Sequence, residues 1–426
     1  MRIKIIIINN MLIFIFLFFL LYSNFISRII GYNLNALFYL SFLLLLIYSL
    51  RKYFLNKIII FQLFIVLFFA IYIFDTSFDF SANLLTIKDF IVPLLCLGIG
   101  MFFTENKLTA INYLNILYLF FIAYGIIQEV CFYTGYFYFL PWDVNYSELC
   151  IANGVVNIYQ GNLLRFFGMM NSSIEYQVFV SMIPLFLLLN YNVIVNKRIF
   201  IINFILSILF LTFSFERSPI IMFLIVLIIW KFKDVLKFKN FIIVCFMVLT
   251  IFTFINYNID FLLNNEYTKY AYQRLINGLF LKYNEDAAIL ERNNLQWKIS
   301  KDIATKEFFG IGPGRITPSA SEYKGYIGPH NNFLAFYLAY GIVGLILFLI
   351  FILFIIMRLS KIKNNFKLFG YGIIVSFFAM AMFNMPFSGK QGIIFYMLLG
   401  YLINEPLSQT IVPLSSKSTL KLKESM

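Results

Sequence analysis

The stretch that decides the fold runs from Phe308 to Met357. It begins with the glycine-rich segment FFGIGPGR at 308–315, passes through GPHNN at 328–332 and ends in the apolar run FLAFYLAYGIVGLILFLIFILFIIM at 333–357. A run of this length crosses the hydrocarbon core of a bilayer as a helix, since about 20 residues are enough. The polar segment and His330, the only histidine of the chain, are therefore expected at a membrane surface.

The composition indicates a polytopic membrane protein. Hydrophobic residues make up 62% of the chain and charged residues 12%, and no soluble fold has enough interior to bury that much apolar surface. The 55 phenylalanines are a bias spread over the whole chain. The net charge of +13 is divided among short Lys/Arg runs between apolar segments, so neither feature indicates a nucleic-acid partner.

The apolar runs predict about twelve transmembrane helices. Lys and Arg in short loops stay on the cytoplasmic side, and the basic runs of this chain all fall on one side of the predicted threading. Both termini are then cytoplasmic. The predicted spans lie at about 5–22, 34–50, 58–74, 84–103, 108–128, 174–193, 199–215, 219–232, 240–257, 332–357, 367–385 and 391–404.

The predicted fold is an all-α polytopic membrane protein with two long extracytoplasmic loops, the larger before the tenth span. Residues 1–257 form an N-terminal bundle of about nine spans that includes the outer loop 129–173. Residues 258–331 form the large extracytoplasmic loop, and 332–404 form the C-terminal spans. Residues 405–426 are a cytoplasmic tail. The short connections on the outer face include 23–32 and 384–390.

The cysteines do not indicate a metal site. Four cysteines and one histidine occur without CxxC spacing, which excludes the familiar zinc patterns. Cys131 and Cys150 both lie in the loop 129–173, in an oxidising compartment, so the sequence permits a disulfide but does not establish it.

Four arginines are candidates for binding a phosphate or pyrophosphate. Arg217 lies where two spans nearly meet on the outer face, and Arg165, Arg292 and Arg315 lie in the two long loops. The guanidinium group offers planar, two-pronged donors to phosphate oxygens. Neither an Asp-x-Asp motif nor a P-loop spacing is present, so side-chain cations would have to bind a diphosphate. The alternative is that Arg217 is neutralised by Glu216 or caps a helix.

His330 is the candidate general base, because an imidazole titrates near neutral pH and its neutral form accepts a proton from a hydroxyl. The alternative is a hydrogen-bonded structural histidine. Gly310, Gly312 and Gly314 predict a tight loop in which the backbone approaches another backbone or a ligand. They do not form a dinucleotide-binding motif, because the strand-turn-helix context is lacking.

Lys88 and Asp89 form a charged pair within the fourth predicted span. A charged pair in hydrocarbon is costly and usually functional. The alternative is that the span starts later and that the pair reaches the interface.

The segment from Glu291 to Leu345 resembles the O-antigen ligase/polymerase superfamily, which comprises the Wzy-type polymerases and WaaL-type ligases of lipid-linked glycans. The resemblance rests on Arg292 and Trp297 ahead of the loop, FGIGPG at 309–314, His330 with Asn331, and YGIVGL at 340–345. Arg217 and Arg165 match further arginines of the family more weakly.

The resemblance implies glycosyl transfer on the periplasmic face of the bacterial inner membrane. The donor would be an undecaprenyl-pyrophosphate-linked oligosaccharide, and the acceptor a sugar hydroxyl of another glycan. His330 would be the base, while Arg217 and Arg165, with Arg292, Arg315 and Asn331, would bind pyrophosphate or glycan. The resemblance implies no metal and no cofactor, and its expected partners are membrane lipids, a flippase and chain-length regulator proteins.

Three functions follow from these expectations. The first is a polymerase that joins lipid-linked repeat units of O-antigen, capsule or a similar surface polysaccharide. The second is a ligase that transfers the finished glycan to a lipid A core sugar. The third, from a different class, is a flippase or transporter, which would need mid-span charges such as Lys88 and Asp89 more than the outer loop.

Overall fold

The computed structural model describes residues 2–72, 80–133, 168–170, 172–213, 217–235, 308–313, 331–382 and 384–408. Within these ranges the regular elements are α-helices and the 3-10 turn at Tyr191–Val193, and no strand occurs. The helices are α1 (Arg2–Ile30), α2 (Asn35–Tyr53), α3 (Lys57–Ile71), α4 (Phe80–Glu105), α5 (Lys107–Tyr133), α6 (Ser173–Leu189), α7 (Lys197–Phe213), α8 (Arg217–Val235), α9 (Asn332–Leu359), α10 (Asn364–Ala381) and α11 (Gly389–Ser408).

The all-helical class is confirmed for the described part of the chain. The described helices cover eleven of the predicted spans, and the remaining one, 240–257, lies outside the described residues. By length and composition four of these helices, α1, α2, α5 and α9, can cross a membrane, and α3, α6, α8 and α10 contain shorter apolar helices. The number of twelve spans and the orientation of the chain stay predictions.

Two helices extend further than the apolar pattern predicts. The predicted outer connection at 23–32 is helical to Ile30, since α1 continues through Ser23, which is fully buried, and the Ser27 hydroxyl donates to the Ser23 carbonyl at 2.7 Å. Helix α5 continues to Tyr133, so the first residues of the predicted loop 129–173 are helical. In both places buried polar side chains interrupt the apolar run without ending the helix.

The centre of the bundle is the close packing of α4 against α11. A Cβ built on Gly100 would lie 2.8 Å from the carbonyl carbon of Met397, and one on Gly400 would lie 2.8 Å from that of Leu97. Small residues at such positions let two helix backbones approach closely, as in membrane bundles generally. The Asn404 amide also donates to the Met101 carbonyl at 2.9 Å.

Several long-range contacts define one end of the bundle, which we call the outer end because the basic runs predict that it faces away from the cytoplasm. Arg28 near the end of α1 contacts Gly168, and Lys390 at the start of α11 contacts Ser23. Tyr72, just after α3, contacts Phe309. The opposite end of the bundle carries the exposed ion pair between Lys52 and Glu105.

Candidate functional site at the outer end of the bundle

The glycine-rich segment 308–313 docks onto a break in α9. Gly341 interrupts the helix with φ 68° and ψ −171°. The Ile311 N–H donates to the Leu338 carbonyl at 2.7 Å, and the Ile342 N–H donates to the Phe308 carbonyl at 3.2 Å. The break therefore frees backbone groups of α9, and the segment pairs with them from both sides.

Glycine is required on both sides of this contact. A Cβ on Gly310, where φ is 81°, would lie 2.5 Å from the Gly341 nitrogen and 2.7 Å from the Leu338 oxygen. A Cβ on Gly341 would lie 2.6 Å from the Phe309 carbonyl carbon. The glycines thus bring two backbones together, which is one of the two roles that the sequence left open. Gly312 also has a positive φ, of 88°, and Gly314 lies outside the described residues.

Aromatic side chains support the docked segment. The Tyr72 hydroxyl donates to the Phe309 carbonyl at 2.7 Å. Beneath it, Tyr340 is fully buried and stacks on Phe69 with ring centroids 4.0 Å apart, and its edge meets Phe90 at 5.7 Å. Because Tyr340 precedes Gly341 in the chain, this aromatic packing fixes the position of the break.

The start of α9 holds the chain directly after His330. The Asn331 side-chain oxygen accepts the Leu334 N–H at 3.0 Å, which caps the helix, and its amide donates to the Met382 carbonyl at 3.2 Å. Asn332 is fully buried, and its side-chain oxygen accepts the Phe387 N–H at 2.9 Å. Asn331 therefore positions the start of α9, and its predicted contact with substrate stays a prediction.

The side chains of the predicted base and of the predicted arginines are not among those that the structure describes. His330, Arg165, Arg292 and Arg315 lie outside the described residues. Arg217 is the first residue of α8, with only its backbone described. Cys150 is also outside the described ranges, so its disulfide with Cys131 stays a prediction.

A clamp on Gly168 was not predicted from the sequence. The Arg28 guanidinium donates to the Gly168 carbonyl at 2.5 Å, and the side-chain oxygen of Gln128 accepts the Gly168 N–H at 2.8 Å. Gly168 has φ 51°, and a Cβ there would collide with the ring of Tyr176. The clamp holds the chain three residues after Arg165 at the outer end of the bundle. The sequence signal that could have indicated this clamp is the polar residues Arg28 and Gln128, which lie near the ends of two apolar runs.

A charged cavity of about 140 Å³ opens among α1, α2, α4, α6 and α11 at the same end. The predicted pair Lys88 and Asp89 lines it, and the sequence interpretation missed Glu175 and Lys390 on the other wall. The Lys390 backbone N–H donates a hydrogen bond to the Glu175 carboxylate, and the Lys390 ammonium donates to the Ser23 hydroxyl at 3.0 Å. Glu175 and Lys390 both lie in the first turn of their helices, where the apolar pattern is weakest.

The outer end of the bundle therefore holds the chain on the C-terminal side of two predicted site residues, Arg165 and His330. Gly168 lies three residues after Arg165, Asn331 directly follows His330, and Arg217 is the first residue of α8. Among the described residues no group of three His, Cys, Asp or Glu side chains could hold a metal ion.

Comparison with known proteins agrees with the motif resemblance. The model of a family described as O-antigen ligase matches residues 202–349. The matched region runs from within α7 to within α9 and contains Arg217, His330 and the docked glycine segment. A comparison with curated proteins finds no match.

Proposed function

We propose, on the premise that this chain belongs to the O-antigen ligase/polymerase superfamily, that it polymerises lipid-linked oligosaccharide repeat units. The donor is an oligosaccharide on undecaprenyl pyrophosphate, and the acceptor is a sugar hydroxyl of another repeat unit on the outer face of the membrane. The family match supports transfer of a glycan from a lipid carrier, because it spans His330, Arg217 and the glycine segment together, and it fits a polymerase and a ligase alike.

In the proposed reaction the acceptor hydroxyl attacks the anomeric carbon of the donor. A new carbon–oxygen bond forms as the bond from that carbon to the pyrophosphate oxygen breaks. The bonding electrons leave with the pyrophosphate on its polyprenyl carrier, and the hydroxyl proton passes to His330. In-line attack inverts the configuration of the anomeric carbon.

The arginines stabilise the charge that develops on the leaving group. Arg217 and Arg165 are the first candidates, with Arg292 and Arg315 as further ones. The supporting geometry is that the chain next to Arg165 is clamped by Arg28 and Gln128. Asn331 and Asn332 likewise tie the chain after His330 to the connection between α10 and α11.

A ligase is the second candidate, favoured by the description of the matching family. It would move a finished glycan from the same carrier to a lipid A core sugar. Deletion of the gene in the source organism separates the two functions. Loss of a polymerase leaves single repeat units on the surface, whereas loss of a ligase leaves polymer stranded on the lipid carrier.

Glycan transfer by the purified protein would exclude a transporter. Full-length protein in liposomes, supplied with lipid-linked repeat units from the deletion strain, should lengthen the glycan. It should release one undecaprenyl pyrophosphate for each repeat unit added. Neither product would form if the protein only moved its substrate across the membrane.

A further inference from the structure

The charged cavity at the outer end has a balanced set of charges. Lys88 and Lys390 are its two lysines, and Asp89 and Glu175 are its two carboxylates. With both pairs ionised, the formal charge of these four side chains sums to zero. A pyrophosphate site would be expected to carry an excess of positive charge. The balance instead favours a neutral ligand rich in hydrogen-bonding groups.

The uncharged lining also fits such a ligand. Asn24 and Asn35 line the same cavity, and an amide offers both donors and acceptors, while a carboxylate accepts from hydroxyl groups. Phe38, Val92 and Ile393 supply apolar wall. A pocket with apolar walls and a few convergent polar groups is typical of small-molecule sites.

The size of the cavity matches one six-membered ring. Its volume is about 140 Å³, and an engineered protein cavity of about 150 Å³ holds one benzene molecule. A pyranose ring has the same number of ring atoms, and because the cavity is open on one side, its substituents can extend outward while some of its hydroxyl groups meet the carboxylates and amides.

Two short connections join the cavity to the glycine segment and to Asn332, which lies two residues after His330 in the chain. Asp89 precedes Phe90, whose ring contacts Tyr340 at 5.7 Å, next to the break at Gly341. On the other side Asn332 binds the Phe387 N–H at 2.9 Å, and Lys390 follows three residues later. The cavity therefore borders the part of the bundle where the proposed reaction takes place.

We propose that this cavity is a subsite for one sugar ring of the substrate glycan, with Asp89 and Glu175 accepting hydrogen bonds from its hydroxyl groups. This inference rests on the proposed function, since the ring belongs to the lipid-linked repeat unit. The pyrophosphate is bound elsewhere, by the arginines.

The test separates sugar from pyrophosphate. Full-length protein in lipid nanodiscs is titrated with two probes. One is the repeat-unit oligosaccharide released by mild acid from the lipid-linked intermediate of the deletion strain, and the other is undecaprenyl pyrophosphate without glycan. Asp89→Asn should weaken binding of the oligosaccharide about tenfold or more, the usual weight of a hydrogen bond to a charged group. Its affinity for undecaprenyl pyrophosphate should match that of the wild type.

Asp89 is the better probe because Glu175 also caps α11 through the Lys390 backbone. The matched control is Glu105→Gln, which removes a carboxylate charge at the opposite end of the same helix and should change neither affinity. If Asp89→Asn does not accumulate in the membrane, Tyr39→Phe is the substitute, since Tyr39 also lines the cavity. Tyr39→Phe should weaken binding of the oligosaccharide and leave binding of undecaprenyl pyrophosphate unchanged.

Wild-type oligosaccharide affinity in Asp89→Asn, or in Tyr39→Phe where that variant is needed, would overturn the subsite, as would a loss confined to undecaprenyl pyrophosphate. Failure of the proposed function looks different, because wild-type protein in liposomes would then neither lengthen the glycan nor release undecaprenyl pyrophosphate, whatever its affinity for the oligosaccharide.

Discussion

Replacing Gly341 by alanine should undock the glycine segment from α9. The backbone at Gly341, with φ 68° and ψ −171°, lies in a region that is essentially restricted to glycine, and a residue with a Cβ is strained there by about 1–3 kcal/mol. The new Cβ would also lie 2.6 Å from the Phe309 carbonyl carbon. Moving the segment away breaks two backbone hydrogen bonds, each worth about 0.5–1.5 kcal/mol. The total cost is about 2–6 kcal/mol.

The assay compares stability and polymer length. Gly341→Ala is expressed in the deletion strain, its membrane level is measured by immunoblot, and its thermal midpoint is measured after purification. We expect insertion into the membrane, a lower midpoint and no long polymer, because the segment leading to His330 is no longer held.

The matched control is Gly31→Ala. Gly31 has a similar φ of 78°, but nothing lies within 4 Å of a Cβ built there. This variant carries the backbone strain without the collision, so it should lower the midpoint less and leave polymer length unchanged. Wild-type midpoint and polymer length in Gly341→Ala would refute the docking argument.

Two further variants test the residues that accompany the glycine segment. Arg217→Lys should lose nearly as much activity as Arg217→Ala, because an ammonium cannot donate two parallel hydrogen bonds to a phosphate, and full transfer by the lysine variant in liposomes would reduce Arg217 to a point charge. Gln128→Ala should reduce transfer, because it leaves the Gly168 N–H without a partner at a cost of about 1–3 kcal/mol. The control Asn112→Ala removes a similar hydrogen bond, to the Val195 N–H at 2.8 Å, and should keep full transfer. Equal transfer by the two variants would contradict a role for the clamp.

Helix positions could be predicted from the sequence because the apolar runs are clearly separated by polar connections. The ends of the helices were less predictable. Ser23 and Glu129 interrupt the apolar pattern, yet both lie in helices and are buried by neighbouring ones, at 0% and 3% exposure. A one-dimensional pattern does not contain that burial.

The break in α9 was not predicted, although Gly341 was part of the quoted motif. A single glycine inside an apolar run is tolerated by a transmembrane helix, so the sequence alone reads as one continuous span. The break becomes necessary only when the segment 308–313 pairs with the freed backbone groups, and that pairing joins residues far apart in the chain.

The sequence also did not predict which charged residues meet in the cavity. Lys88 and Asp89 were recognised because they are adjacent in the sequence, whereas Glu175 and Lys390 have no charged residue near them in the sequence. Their relation follows from the packing of α6 and α11 at the outer end. Candidate residues could be chosen by chemical type, but their grouping required the fold.

The most direct test of the account is polymer formation by His330→Ala in the deletion strain, beside wild type produced at the same membrane level. Purified variant and wild-type proteins should show the same thermal midpoint, because the chain after His330 is held by Asn331 and Asn332. The account predicts polymer with the wild type and single repeat units with the variant. Wild-type chain lengths in His330→Ala would contradict it.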